Sequence, residues 1–295
     1  MVENKSPASR ALYGLNGFIL GIATFSCFFP LWYTLCVSLS AKTAVDAGLV
    51  TVWPMGFNLL NYSAITSDTV FYVSFFRSVA RVAVGTPFTL IVSIMIAYPL
   101  SKGRAEFRAR NPLMWLVVFC MVFGGGMVPW YMFMVSYQMT NSFIGLILCG
   151  GLPIYYCVLI MNAFKSIPKE LEEAAIVDGA GPWRILFTII IPCSVPTIAT
   201  IALFVGVNYW NDYFQGMVLS KKADFYPLMT YIRSFSVTVD LNAGLSTEQL
   251  IRASQMSNKG LNAAKVFVAL IPMLVVYPFV QKYFVKGIMI GAVKG

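Results

Sequence analysis

Four polar side chains recur at helical spacing within an otherwise apolar segment. Asn208, Asn211, Asp212 and Gln215 stand at positions i, i+3, i+4 and i+7, a spacing that predicts one polar stripe along a helix. Amide and carboxylate groups form hydrogen bonds, and hydroxyl groups are suitable partners for both. The stripe therefore has the chemistry to bind a ligand that is rich in hydroxyl groups.

Aromatic residues surround this stripe. The same segment contains Tyr209, Trp210, Tyr213 and Phe214, and aromatic faces can cover the apolar faces of sugar rings. The segment is therefore a candidate lining for a substrate pathway. The alternative interpretation is that the polar groups join neighbouring helices and the aromatic groups lie near a membrane boundary, where both are common. The residues leave both interpretations open.

A second informative stretch is the polar loop 165–193. Ser166 is a predicted helix cap, Pro168 suits a first turn, and acidic residues follow where the helix dipole favours them. Gly179 predicts the end of this helix, and a second short helix is predicted from Trp183 to about Ile190. On this pattern alone, the loop could be an amphipathic helix that rests on lipid.

The elements that position these residues must lie in a membrane. Of 295 residues, 58% are hydrophobic and only 11% are charged, which is too apolar for an ordinary soluble domain. A spanning helix needs about 20 apolar residues. Runs of this kind occur at 12–39, 74–100, 112–137, 141–164, 194–217 and 264–286. We therefore predict an all-α polytopic membrane protein with six transmembrane helices, the fifth of which carries the stripe.

The distribution of basic residues predicts the orientation. Short segments rich in Lys and Arg fall on the side of the N-terminus, which is therefore cytoplasmic together with the C-terminus. The net charge of +9 is spread along membrane boundaries and does not predict nucleic-acid binding. The predicted organisation is a cytoplasmic N-terminus 1–11, a six-helix transmembrane domain 12–290 with inner loop 165–193 and outer loop 218–263, and a cytoplasmic tail 291–295.

Two basic residues lie at the start of the second span. Arg77 and Arg81 are one turn apart, and we predict that they extend toward the outer interface. Pairing with an anionic partner or substrate is the alternative, which leaves an acidic saccharide possible. The segment before them, 40–73, is predicted to be mostly irregular because it is rich in turn formers.

Glycine, proline and cysteine residues give further local predictions. Gly124–Gly126 and Pro129 predict a kink or a close helix approach in the third span. The six Cys residues fall in or beside apolar runs, so we interpret them as small apolar residues. A helix-like stretch is predicted from Ser246 to about Ser257 in the outer loop.

The inner loop resembles a known family motif. Glu173-Ala174-Ala175, followed by Gly179 and then Ile189-Ile190-Ile191-Pro192, matches the EAA loop of permeases from binding-protein-dependent ABC importers. The match lies in the inner loop between the fourth and fifth spans, as in that family. One departure is Ile191, where the family often has Leu.

Other stretches resemble a branch of carbohydrate importers that serves complex oligosaccharides, similar to the maltose permease subunit family. They are Gly125–Pro129, Asn208–Asp212, Tyr226–Leu228 and Tyr277–Gly295. The resemblance covers nearly the whole chain. It implies a type I importer permease fold in a prokaryotic cell membrane and a carbohydrate substrate.

The resemblance also implies how the chain is coupled to its energy source. The expected ATPase-coupling residues are Glu173, Ala174, Ala175, Asp178, Gly179 and Ala180. The expected partners are a second permease subunit in a heterodimer, two copies of a cytoplasmic ATPase and an extracellular solute-binding protein. The chain has no G-x-x-x-x-G-K-[ST] motif to hold phosphates. We therefore expect a non-catalytic transport subunit without a cofactor of its own, and ATP with Mg²⁺ in the ATPase partner.

An ion-coupled secondary transporter is the alternative function. Such a protein needs coupling residues at membrane depth and often has an internal repeat. The sequence offers Asp212 as its one strong intramembrane acid, has no His, and shows no convincing repeat. A structural scaffold is a third possibility, but a scaffold does not need an EAA loop.

Overall fold

A computed structural model describes the main chain of residues 7–151, 153–234 and 257–292, and side chains within 12–278 of these ranges. All regular secondary structure in these residues is helical. The helices are α1 Pro7–Ser38, α2 Lys42–Asp46, α3 Leu60–Ser67, α4 Thr69–Ser101, α5 Arg110–Val122, α6 Met127–Ser136, α7 Phe143–Leu148, α8 Ile154–Lys165, α9 Lys169–Val177, α10 Pro182–Cys193, α11 Val195–Asn211, α12 Phe214–Leu219, α13 Leu228–Ser234 and α14 Asn258–Ala292.

Within the described residues, three helices are long and apolar enough to cross a membrane without interruption. They are Leu12–Ser38 in α1, all of α4, and Asn258–Pro278 in α14, and they coincide with the first, second and sixth predicted spans. Two bent pairs, α5 with α6 and α10 with α11, raise the number to five if each pair is one span. Helix α8 is apolar but shorter. The structure therefore confirms a helical membrane protein, with three to five spans by length and composition.

The third predicted span is broken more strongly than expected. Helices α5 and α6 meet at an angle of 110°, so the predicted kink is a complete break. Residues 123–126 are not helical, and Gly126 has a φ of +82°, which other residues adopt only at a cost. Three consecutive glycines give the chain the freedom to turn here, and Pro129 lies in the first turn of α6.

The fourth predicted span, 141–164, is also wrong as a continuous helix. Helix α7 ends at Leu148, and α8 begins only at Ile154. Gly151 has a φ of +60°, and Pro153 precedes the first turn of α8. Hydropathy alone does not reveal this break, because the residues on both sides of it are apolar.

The chain divides into two compact units, of which one comprises residues 1–69 and 234–271. Segment 40–73 is more helical than predicted, since α2 and α3 occupy part of it. Cys36, Val37 and Val45 are buried together. The Asn61 amide donates to the Ser38 carbonyl at 2.9 Å. The predicted helix at Ser246–Ser257 lies almost entirely outside the described residues.

The other unit comprises residues 70–233 and 272–295. Its hydrophobic core joins α4, α8, α10 and α11. The residues that are most deeply buried there include Ala97, Ile160, Leu186, Ile190 and Ile201. This core fixes α11, which carries part of the polar stripe, and Ala175 and Ala180 of the predicted coupling region pack against it.

Loop 165–193 has the predicted two helices with a glycine turn between them. Helix α9 ends at Val177, and Gly179 has a φ of +78°, which confirms the predicted stop. The predicted cap at Ser166 is wrong, because its hydroxyl donates to the Ala163 carbonyl at 2.7 Å and so closes α8. Helix α10 extends beyond the predicted Ile190 to Cys193 and contains a π-helical turn at Leu186–Ile190.

Candidate functional site: a polar cavity beside a buried ion pair

A buried ion pair joins α4 to the end of α11. An Arg81 Nη2 nitrogen lies 2.7 Å from Oδ2 of Asp212, and the two side chains are 1% and 19% exposed. The prediction that Arg81 extends toward the outer interface is therefore wrong. A charge in an apolar interior is stabilised by an opposite charge and by hydrogen bonds, and Arg81 has both, since its Nε also donates to the Leu146 carbonyl at 2.7 Å. Arg77 is half-buried, with its guanidinium 5.0 Å from the ring centre of Phe225.

The ion pair belongs to a larger polar cluster. Arg81 Nη2 lies 3.2 Å from the Gln215 side-chain oxygen, and the Cys149 thiol donates to the same oxygen at 2.8 Å. Cys149 packs in a hydrophobic cluster with Met134 and Leu219, as predicted for a small apolar residue, and in addition its thiol forms this polar contact. The Arg81 guanidinium also lies 5.2 Å from the ring centre of Tyr209. The cluster thus ties α4 to the α7–α8 break and to the α11–α12 break.

The polar stripe does not lie on one continuous helix. Helix α11 ends at Asn211, and Asp212 has extended backbone angles. Its Oδ1 accepts a hydrogen bond from the Gln215 N–H at 3.2 Å, which stabilises the start of α12 in the manner of a cap. The prediction that all four residues share one helical face is therefore wrong. The break nevertheless keeps them close together.

A cavity of about 420 Å³ lies beside this cluster. All four residues of the polar stripe line it, and so do three of the aromatic residues around the stripe, Tyr209, Tyr213 and Phe214. The remaining aromatic residue, Trp210, is buried elsewhere, with its ring centre 6.0 Å from that of Phe75 in an edge-on contact. Arg81, Gly150 and Gly151 also line the cavity, and the sequence analysis did not assign the two glycines to this site.

The lining residues divide into two groups by exposure. Tyr209 is buried, and its hydroxyl donates to the Ile147 carbonyl at 2.9 Å; Asp212 and Gln215 are held in the polar cluster. Asn208 and Asn211 are exposed, although the Asn208 amide also donates to the Tyr156 hydroxyl at 2.7 Å. The buried group joins helices to each other. The exposed amides are available to a ligand in the cavity.

The predicted coupling residues lie on a different surface, around α9. Glu173, Ala174, Asp178 and Gly179 are exposed. Ala175 and Ala180 are half-buried and pack against the hydrophobic core of the same unit. Of the three alanines among the expected coupling residues, only Ala174 is therefore exposed.

The helices, their breaks and the polar cavity define a membrane-embedded transport subunit. The chain belongs to the family of binding-protein-dependent transport system inner membrane components, whose family model matches residues 3–290. It is 34% identical over 281 residues to the polygalacturonan/rhamnogalacturonan transport system permease protein YtcP of Bacillus subtilis (strain 168), which covers 95% of this chain and 97% of that protein. It is 32% identical over 292 residues to protein LplC of the same organism, with 99% and 98% covered.

Solved structures share the fold. A bacterial ABC transporter involved in the import of the acidic polysaccharide alginate contains a chain that superposes with a TM-score of 0.84 at 30% identity, covering 95% of this chain and 98% of that one. The family membership confirms the prediction made from the EAA loop and places the chain in the inner membrane. Because the solved chain that shares this fold at 30% identity belongs to an ABC transporter, the ion-coupled alternative is set aside.

Proposed function

We propose that this chain is the permease subunit of an ATP-driven importer that translocates an oligosaccharide delivered by an extracellular binding protein. The observation that carries the proposal is the cavity of about 420 Å³ at the helix breaks, with exposed amides beside aromatic side chains. Amides bind hydroxyl groups, and the faces of tyrosine rings can cover the apolar faces of sugar rings. Relatives named for polygalacturonan and alginate transport support a carbohydrate substrate.

The charges around the cavity bear on which saccharide is bound. Arg81 and Asp212 neutralise each other, so the described lining has no net formal charge. Hydroxyl groups and ring faces are therefore the features that this cavity is suited to recognise. Oligosaccharides that contain uronic acid are the first candidates to test, because the solved relative imports an acidic polysaccharide.

Energy for transport must come from another subunit, since the chain has no phosphate-binding loop motif. We assign ATP and Mg²⁺ to two copies of a cytoplasmic ATPase that docks on α9. The exposed Glu173, Ala174 and Asp178 supply polar and small contacts on that surface, and Val177 adds an apolar side chain that is 87% exposed. A second permease subunit completes the heterodimer around the substrate, and the binding protein docks on the outer side.

We further propose six spans with both termini cytoplasmic, and the domain limits predicted above. In this arrangement α5 with α6 forms the third span, α7 with α8 the fourth, and α11 with α12 the fifth. Loop 165–193 is then cytoplasmic, as docking of an ATPase on α9 requires.

Single cysteines test this topology in a chain whose native cysteines are replaced. Ala47 and Ala223 are exposed and lie on the proposed outer side, whereas Ala105 and Val177 are exposed on the proposed inner side. An impermeant maleimide added to intact cells is expected to label Ala47→Cys and Ala223→Cys. Ala105→Cys and Val177→Cys are expected to react only after the membrane is permeabilised. Labelling of Ala105→Cys in intact cells would show that the orientation is wrong.

The function is tested by purifying the chain with its genomic neighbours and reconstituting the complex in proteoliposomes. The binding protein is loaded in turn with a galacturonate trisaccharide, an alginate trisaccharide and the neutral trisaccharide raffinose. We expect at least one loaded form to stimulate ATP hydrolysis and to drive ATP-dependent accumulation of its saccharide. Accumulation driven by an ion gradient without ATP would contradict the proposal.

A further inference from the structure

The inner end of α4 contacts both helices of the cytoplasmic loop. The Tyr98 hydroxyl donates to the Pro182 carbonyl at the start of α10, at 3.0 Å. Lys102, directly after α4, forms an ion pair with Glu172 of α9, and these side chains are 16% and 20% exposed. The Lys102 ammonium also lies 4.6 Å from the ring centre of Tyr98. One short stretch of chain therefore holds the two loop helices at once.

The same helix reaches the polar cavity. Helix α4 is continuous from Thr69 to Ser101, through two internal prolines, and it carries Arg81. Arg81 and Lys102 are 21 positions apart, or about 32 Å along a helix at 1.5 Å per residue.

Pro87 and Pro99 both lie between Arg81 and Lys102, and each removes one backbone hydrogen bond of the helix. The helix nevertheless stays continuous, and Ile94, Ala97 and Leu100 anchor its second half in the hydrophobic core. A continuous, packed helix of this kind can carry a displacement from one end to the other.

The loop and Arg81 lie on parts of the chain that are far apart in sequence. The loop is continuous in sequence with α8 and with α11, whereas α4 is separated from α9 by 67 positions between Lys102 and Lys169. Helix α4 is therefore joined to the loop by side-chain contacts. Of these, the pair of Lys102 and Glu172 is the one formed by opposite charges on two separate elements.

We propose that Lys102 and Glu172 are positioning residues that join the ATPase-facing helix α9 to α4, so that movement of the loop reaches Arg81 and the cavity along α4. The inference rests on the proposed function. Glu172 lies beside the EAA residues but turns toward its own chain, and Lys102 lies outside the loop altogether. If replacing Lys102 impairs coupling, direct contact between α9 and the ATPase cannot be the reason. The contact of Lys102 with Glu172 would then be the cause.

Charge reversal tests this inference in the reconstituted complex. The variants are Lys102→Glu, Glu172→Lys and the two combined, and the matched control is Arg104→Glu, an exposed residue in the same inner segment. The readout is the ratio of ATP hydrolysis with the saccharide-loaded binding protein to hydrolysis without it, using whichever of the three trisaccharides stimulates the wild type. Each single reversal is expected to lower the ratio about fivefold, a typical coupling effect. The double reversal is expected to restore most of the wild-type ratio. The control Arg104→Glu is expected to keep the wild-type ratio.

Several outcomes would overturn the inference. An unchanged ratio in both single variants would show that the contact carries no coupling. A double variant that is no better than the singles would show that the two residues do not act through each other. If Lys102→Glu or Glu172→Lys alone prevented assembly of the complex, the contact would be needed for folding and not for coupling. A wild-type complex that shows no stimulation by any loaded binding protein would instead contradict the proposed function itself, together with this inference.

Discussion

Asp212→Asn is expected to lower the yield of assembled complex severalfold and to reduce its thermal stability. Asp212 is the carboxylate that neutralises Arg81, whose side chain is 1% exposed. Removing one partner of a buried ion pair costs about 3–5 kcal/mol, because the other charge stays buried without compensation. Asparagine keeps an acceptor oxygen, and Asp212 is itself 19% exposed, so we expect a loss near the lower end of that range. Native gels and the melting temperature of the purified complex measure it.

Two further variants separate loss of the charge pair from other causes. Removing both charges with Arg81→Gln and Asp212→Asn is expected to recover stability relative to Asp212→Asn alone, because no buried charge then lacks a partner. Asn211→Leu changes the neighbouring exposed residue and is expected to leave assembly intact. If Asp212→Asn assembles and melts like the wild type, Arg81 is stabilised by something other than Asp212, and the described ion pair is not important for stability.

Gly179→Val is expected to abolish stimulation of ATP hydrolysis by the loaded binding protein, and uptake with it, while membrane insertion stays normal. Gly179 has a φ of +78°, and a Cβ at this position would meet no other atom within 4 Å. The penalty is therefore one of backbone conformation, about 1–2 kcal/mol, and it is greatest for a β-branched residue. We expect the chain to relieve this strain by changing the turn between α9 and α10, and so to displace the proposed ATPase-docking surface.

The neighbouring glycine supplies a control of the same size. Gly181 also has open space around its Cβ position, but its φ is −74°, which any residue can adopt. Gly181→Val is therefore expected to retain stimulated hydrolysis. Gly179→Asn is expected to retain more activity than Gly179→Val, because asparagine tolerates positive φ. Equal stimulation in Gly179→Val and the wild type, at equal expression, would show that this turn is not part of the coupling path.

Features with a local cause were predictable from the sequence. Long apolar runs predicted α1, α4 and α14, because each of these helices is stabilised by its own backbone hydrogen bonds and by an apolar environment. The turn at Gly179 followed from the conformational freedom of glycine, and the EAA residues predicted the family. In each case the responsible residues are neighbours in sequence.

Features that depend on distant residues were missed or misread. Arg81 and Asp212 are 131 positions apart, so sequence spacing did not reveal their contact. The sequence nevertheless contained a signal, namely one basic and one acidic residue within predicted spans. An unpaired charge in a span is costly, so two such residues of opposite sign suggest a pair. The breaks between α7 and α8 and between α11 and α12 depend on how helices pack around them, which hydropathy does not report. Gly150-Gly151 and Pro153 were the local signs of the first of these breaks.

The most direct test of the central claim, that the cavity beside Arg81 and Asp212 lies on a saccharide pathway, is a measurement of substrate preference. Proteoliposomes with wild-type complex or with Asn211→Leu are offered the acidic and neutral trisaccharides, and the ratio of their initial uptake rates is compared. The exposed amide of Asn162 on α8, outside the cavity, gives the matched control Asn162→Leu. A lost hydrogen bond contributes about 0.5–1.5 kcal/mol, so the ratio in Asn211→Leu is expected to shift about two- to tenfold, while that of the control stays at the wild-type value. An unchanged ratio in a fully assembled Asn211→Leu complex would contradict the account.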